Sequence, residues 1–200
     1  SKEGIKKIGF PLVDSVVQRS LVATGGTVLA SKLAINYGIS CNTAGGSHHA
    51  SYDGGAGYCV FNDVAVASHY LLNRGLANKI LIVDLDVHQG NGTASIFNEN
   101  KNVFTLSFHG KKNYPFKKEI SDLDVDFPDS TDDKFYLSKL NEILPKVVDE
   151  FEPDFMFYLA GVDVLENDKL GRLSMTINGC RERDKFVLKL AKKNNIPIQI

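Results

Sequence analysis

KILIVDLDVHQGNG, residues 79–92, decides the fold. Ile80, Leu81, Ile82 and Val83 form an unbroken apolar run ending at Asp84. A strand that is apolar on both faces is covered on both faces, as strands of parallel sheets are. Helical and strand patterns alternate outward from this run. Residues 21–37 read as a helix with Val22, Val28, Leu29, Leu33 and Ile35 on its apolar face, stopped by Gly38. Residues 39–42 are a short strand candidate, and residues 60–72 look helical. After the central strand come a short helix at 93–97, a strand at 102–108 and an alternating edge strand at 123–127. A helix over 132–151 is opened by the polar cluster at 129–132 and contains Pro145. A buried strand at 154–160, a helix at 180–193 and a strand at 196–200 complete the pattern. Short connections between alternating elements predict an α/β fold of three layers, α/β/α, around a mostly parallel sheet.

The chain has 200 residues, 43% of them hydrophobic and 24% charged, which suits one domain with a sizeable core. The longest apolar stretch, residues 155–162 with Gly161 included, falls far short of the roughly 20 residues that span a membrane. Lys and Arg total 23 against 24 Asp and Glu, so no basic footprint points to direct nucleic-acid binding. The three cysteines, Cys41, Cys59 and Cys180, make neither a disulfide framework nor a zinc finger. Ser1-Lys-Glu-Gly4 is not followed by an apolar signal segment. An intracellular setting, cytoplasmic or nuclear, is expected. A chain ending at Ile200 as it enters a strand predicts a domain short at its C-terminus.

In open α/β sheets, sites form beyond the carboxyl ends of strands. Three such ends carry Ala44-Gly-Gly-Ser-His-His-Ala50, Leu85-Asp-Val-His-Gln-Gly-Asn-Gly92 and Gly161-Val-Asp163. In extended chain, residues two apart point to one side, so Asp86 and His88 can face one ion, with Asp84 in the same series. Asp163 is the candidate third ligand. One imidazole and two carboxylates leave coordination positions open, the mark of a catalytic metal site, and suit Zn²⁺ or Fe²⁺. The bland alternative is an Asp capping backbone amides beside a packed His. His48 and His49 follow a turn that Gly45 and Gly46 permit, and a His beside a metal's water can serve as general base and acid. Alternatively both are ligands, or merely surface residues. Gly54-Gly-Ala-Gly-Tyr58 lacks any phosphate-loop signature. It reads as backbone close to a ligand, with Tyr58 as an aromatic wall. Asn62 and Asp63 read as the start of the next helix.

The motifs GGSHHA, GYCVFND, DLDVHQGNGT, LSFH and AGVDVLENDKLGRLSMT occur in an order and spacing that resemble the zinc-dependent histone deacetylases. Gln89 and Asn91 resemble class IV members and related bacterial histone deacetylase-like amidohydrolases most. The resemblance implies an arginase/deacetylase-like fold and one catalytic domain over residues 1–200, short at both ends. It implies Asp86, His88 and Asp163 as metal ligands and His49 as general base and acid. His48 would hold the water, with Asp84 as its carboxylate partner. Asn91 stands where many members carry a second Asp. A neutral amide orients His49 without raising its pKa, so His49 is expected to be the less basic of the pair. Gly57 would accept from the substrate amide, and Tyr58 and Tyr114 would line a channel for an acyl-lysine of a protein substrate. Asp84, Asp86, His88, Ser107 and Phe108 match the family's structural K⁺ or Na⁺ site. The family's catalytic Tyr would fall just beyond Ile200.

Two rival readings remain. A dinuclear manganese hydrolase like arginase needs further carboxylates where this chain has Gly90 and Leu165. A metal-stabilised module that binds acyl-lysine without turnover is the non-enzymatic alternative. His69 and His109 read as packing or flanking residues. Asp122, Asp124 and Asp126 read as edge charges that discourage strand pairing. Lys111, Lys112, Lys117 and Lys118 read as a solvated basic loop.

Overall fold

The computed structural model describes residues 2–11 and 13–200; Ser1, where the opening polar stretch begins, lies outside them. The elements are α1 (Lys2–Ile8), α2 (Asp14–Tyr37), β1 (Ile39–Ser40), α3 (Asp63–Asn73), β2 (Ile80–Asp84), α4 (Asn91–Phe97), β3 (Val103–Gly110), β4 (Leu123–Phe127), α5 (Asp133–Phe151), β5 (Phe155–Leu159), α6 (Ile177–Lys193) and β6 (Ile198–Gln199). The six strands form one sheet in the order β1-β6-β5-β2-β3-β4, and every neighbouring pair is parallel.

The period of two along each strand explains the layers. Ile80 and Ile82 of β2, with Phe155, Phe157 and Leu159 of β5, face a cluster that includes Ala34 of α2 and Val64, Ala67 and Leu71 of α3. Leu81 and Val83, with Met156 and Tyr158, face Leu140, Leu144 and Val148 of α5 and Val187 and Ala191 of α6. Both faces are therefore buried, as the apolar runs require, and the three-layer α/β/α arrangement follows. Side-chain caps fix the helix starts: Asn62 accepts from Ala65 N–H, Asp132 from Phe135 N–H and Thr176 from Gly179 N–H.

Strand order sets the site. From β2 the chain steps outward through β3 and β4; from β5 it steps the other way to β6. Asp84, the last residue of β2, pairs with Leu159, the last of β5. The loops leaving these strands therefore diverge at the point where the winding direction changes, and a crevice opens between them.

Three expectations need correction. Helix α2 begins at Asp14, and α1 precedes it, a short helix with no strong apolar stripe. The face that α2 buries is Ala23, Thr27, Ala30, Ser31 and Ala34, while Val22, Leu29 and Leu33 are exposed and Val28 and Ile35 half-buried. Small side chains let the helix lie close against α3, so size, not hydrophobicity, selects its inner face. His109 does not flank a rim: it lies within β3, buried, its Nδ1 3.1 Å from Ser107 Oγ. Burial lowers its pKa to about 4 despite the charge of Asp124.

Candidate active site

Asp84 closes β2, and the chain then turns through Asp86 and His88. Two local bonds shape the turn: Asp86 N–H donates to Asp84 Oδ1 at 3.2 Å, and His88 N–H to Asp86 Oδ1 at 2.8 Å. Asp163 enters from the loop after β5, where its Oδ1 accepts Val87 N–H at 3.0 Å. Gly161 makes this approach possible, since a Cβ there would lie 2.5 Å from Asp86 Oδ2 and 2.7 Å from its Cα. Among the described residues, Asp86, His88 and Asp163 form a cluster whose ligand atoms all lie within 4.8 Å of one another.

The donor set fits a divalent ion. His88 Nδ1 stands 2.9 Å from Asp86 Oδ1 and 3.0 Å from Asp163 Oδ2. Burial lowers the His88 pKa, but the two carboxylates outweigh it and raise it to about 10. Such a pull on a proton marks a position that calls for positive charge. One nitrogen and two oxygens is mixed ligation of the kind zinc or iron(II) accepts.

His48 and His49 sit in the turn after β1, and α3 holds that turn from both sides. Asp63 accepts from Gly46 N–H and Ser47 N–H, while Asn62 Nδ2 donates to Ala50 O and to Thr93 Oγ1. The two residues do begin a helix, as expected, and also clamp the His pair.

The two imidazoles differ in basicity. His48 Nδ1 bonds Asp84 Oδ2 at 2.6 Å. Burial works against its protonation, but Asp84 and Asp86 outweigh that and lift its pKa to about 9. His49 Nδ1 bonds the neutral Asn91 Oδ1 at 2.7 Å. Burial and the nearby His48 bring its pKa down to about 3. His49 is thus the less basic imidazole, with Nε2 free of the Asn91 bond, and His48 the more basic one, anchored on Asp84.

A cavity of about 500 Å³ is lined by both His residues, the three acidic-cluster residues, Gly57, Tyr58 and Tyr114. The Tyr114 ring meets His49 edge-on with centroids 4.9 Å apart. Gly57 has φ 52°, and a Cβ there would lie 2.5 Å from His49 Cδ2, so glycine is required. The end of α1 fixes this loop: Gly57 N–H donates to Lys7 O and Tyr58 N–H to Ile8 O. Tyr58 stacks on Phe10 at the mouth. Ser107 lies beside Asp84 in the sheet, and Ser107 and Phe108 are both buried behind the ligand loop.

A family model described as the histone deacetylase domain matches residues 2–200. The chain belongs to the histone deacetylase family. An uncharacterized protein of Picosynechococcus sp. is 47% identical over 96% of this chain and 64% of its own length. Histone deacetylase 2 of Arabidopsis thaliana is 36% identical over 87% of this chain and 46% of its own. The crystal structure of the HDA15 HD domain superposes with a TM-score of 0.76 at 27% identity, covering 90% of this chain and 55% of that one. The chain thus spans about half to two thirds of the length of these proteins.

One residue behind this deacetylase-family site is not singled out by any motif in the sequence. Arg183 of α6 is fully buried, and its Nη1 donates to Leu85 O at 3.1 Å and Gly161 O at 2.7 Å. It ties the two ligand loops together from beneath. A charged residue on the inner face of an amphipathic helix was the available clue, since a buried Arg demands partners.

Proposed function

We propose that the protein hydrolyses the amide bond of an acylated lysine, with His49 as general base and acid. The convergence of Asp86, His88 and Asp163 beside a neutral His49, at the bottom of a tyrosine-lined cavity, carries this reading. A divalent ion, Zn²⁺ or Fe²⁺, held by these three residues would supply a Lewis acid for the carbonyl and lower the pKa of water toward about 7. The chain's own groups do the rest. Tyr58 and Tyr114 exclude bulk water around the lysine side chain, and Gly57 O accepts its amide N–H. His49 Nε2 takes a proton from the attacking water and later returns it to the leaving amine, so a carboxylic acid and a free lysine are released. His48, anchored on Asp84, orients the water and stands where it can favour negative charge on the carbonyl oxygen. K⁺ or Na⁺ held by the backbone of Asp84, Asp86, His88 and Phe108 with Ser107 would stiffen the ligand loop.

The arginase-like alternative has no support in the site: the further positions are Gly90 and Leu165, neither of which offers a carboxylate. The decisive experiment pairs metal analysis with turnover of a panel of acetyl- and long-chain acyl-lysine peptides. About one equivalent of divalent ion is expected, lost in Asp163→Ala. His49→Ala is expected to keep the ion and lose turnover. Peptide binding without product release would favour a recognition module. Metal content unchanged in Asp163→Ala would overturn the ligand set.

A further inference from the structure

The loop that carries Tyr114, residues 111–121, is long, largely exposed and without regular structure. Phe116 and Ile120 are 90% and 84% exposed, so these two large apolar side chains do not anchor it. Yet Tyr114 keeps an edge-on contact with His49. Polar contacts add to the packing of Tyr114 and the buried Pro115 in holding the loop. Lys118 Nζ donates to Asn113 O and Pro115 O, closing the loop on itself. Asn113 Nδ2 donates to Leu170 O, reaching the loop of Asp163. The contact with the ligand loop is made by Gln89, next to His88 and fully buried. Its Nε2 donates to Glu119 O and Asp124 Oδ1, both at 2.8 Å, and its Oε1 accepts Glu119 N–H at 2.9 Å. Asp124 in turn accepts from Ser121 N–H and Oγ at 2.9 Å each. Gln89 thus pairs with one backbone unit as a neighbouring strand would and uses every amide hydrogen it has.

We propose that Gln89 is a positioning residue for substrate: it clasps loop 111–121 to the ligand loop and so fixes the Tyr114 wall of the acyl-lysine channel, contributing to substrate binding rather than to the chemical step. The assignment rests on the acyl-lysine reading above. Glu119 is exposed, so its N–H and C=O find water when Gln89 is replaced. Loss of the clasp therefore loosens the loop without unfolding the domain. A side chain that acted on the ion or on His49 would lower kcat instead.

Gln89→Met keeps the length and removes all three bonds. The expected result is a KM for an acyl-lysine peptide raised about tenfold, with kcat within about threefold of the parent and divalent-ion affinity unchanged. Gln89→Glu sets a carboxylate oxygen against Asp124 Oδ1 and Glu119 O in place of the donor, and is expected to raise KM at least as much as Gln89→Met. Amide hydrogen exchange provides a readout without substrate: protection at Glu119 is expected to fall at least tenfold in Gln89→Met while β2 and β5 stay protected. Unchanged protection at Glu119 would overturn the clasp, as would a loss confined to kcat. If the parent protein turned over no acyl-lysine peptide, the functional reading would fail while the exchange measurement still decided the clasp.

Discussion

Replacing Asn91 by Asp tests the role of His49 directly. The His49 Nδ1 to Asn91 Oδ1 bond is 2.7 Å, so a carboxylate there would place its charge about 4 Å from the imidazolium centre. At an effective dielectric constant near 20 that attraction is about 4 kcal/mol, or about three pK units. Asn91 is half-buried, and the new carboxylate loses part of its own hydration, which reduces the net shift to about one to two units. The sign is unambiguous, because opposite charge favours protonated His49 and raises its pKa from the low value that burial and His48 impose. A base must be neutral, so activity falls as pH drops through that pKa. The acid limb of kcat/KM against pH is therefore expected to move upward by about one to two units in Asn91→Asp. At pH values above the limb the rate is expected to hold or rise. The assay is the pH profile of acyl-lysine peptide hydrolysis, with metal content checked at each pH. An acid limb that stays in place, or moves downward, in a folded and fully metallated variant would refute His49 as the base.

Two further substitutions probe the scaffold. Gly161→Ala drives a methyl group into Asp86, whose Oδ2 and Cα lie 2.5 and 2.7 Å from the new Cβ position, and displaces a ligand. Divalent-ion affinity, measured by competition with a chelator, is expected to fall about 10- to 100-fold, and unchanged affinity would show that Asp86 is not a ligand. Arg183→Met leaves Leu85 O and Gly161 O without their donor in a buried setting, at about 1–3 kcal/mol for each carbonyl. Thermal unfolding is expected to drop by about 5–15 °C for a domain of this size, and a midpoint equal to the parent's would refute the strut.

The parts of this molecule that can be read from its sequence are those where burial is two-sided or the chemistry is local. β2 and β5 stand out because a strand covered on both faces runs almost wholly apolar, and all ten of their residues are buried, with Asp84 the one charged member. Asp86 and His88 stand out because their chemistry is local, two ligand types two residues apart just past a strand end, although a turn held by Asp84 Oδ1 and Asp86 Oδ1 rather than extended chain brings them together. Helix α2 misleads for the opposite reason. Val22, Leu29 and Leu33 form a stripe of the right period, but close packing against α3 rewards Ala23, Ala30 and Ala34 instead. Hydrophobic period identifies a helix; it does not say which of two faces has room for large side chains.

Three buried polar residues that hold loops were illegible in that role for a deeper reason. Arg183, Gln89 and Asp63 all bond to backbone groups of distant loops, at Leu85 and Gly161, at Glu119, and at Gly46 and Ser47. A backbone amide or carbonyl is the same at every residue, so such a partner leaves no trace in composition or spacing. These three side chains hold four loops that carry the site: the two ligand loops, the Tyr114 wall and the His48–His49 turn. Each loop is irregular and cannot satisfy its own backbone as a helix or sheet does. Buried side-chain donors and acceptors supply those bonds, and a lost bond costs more in the interior than at the surface. The loops at the carboxyl ends of the strands can thus be irregular enough to converge on one point, yet held firmly enough to act there.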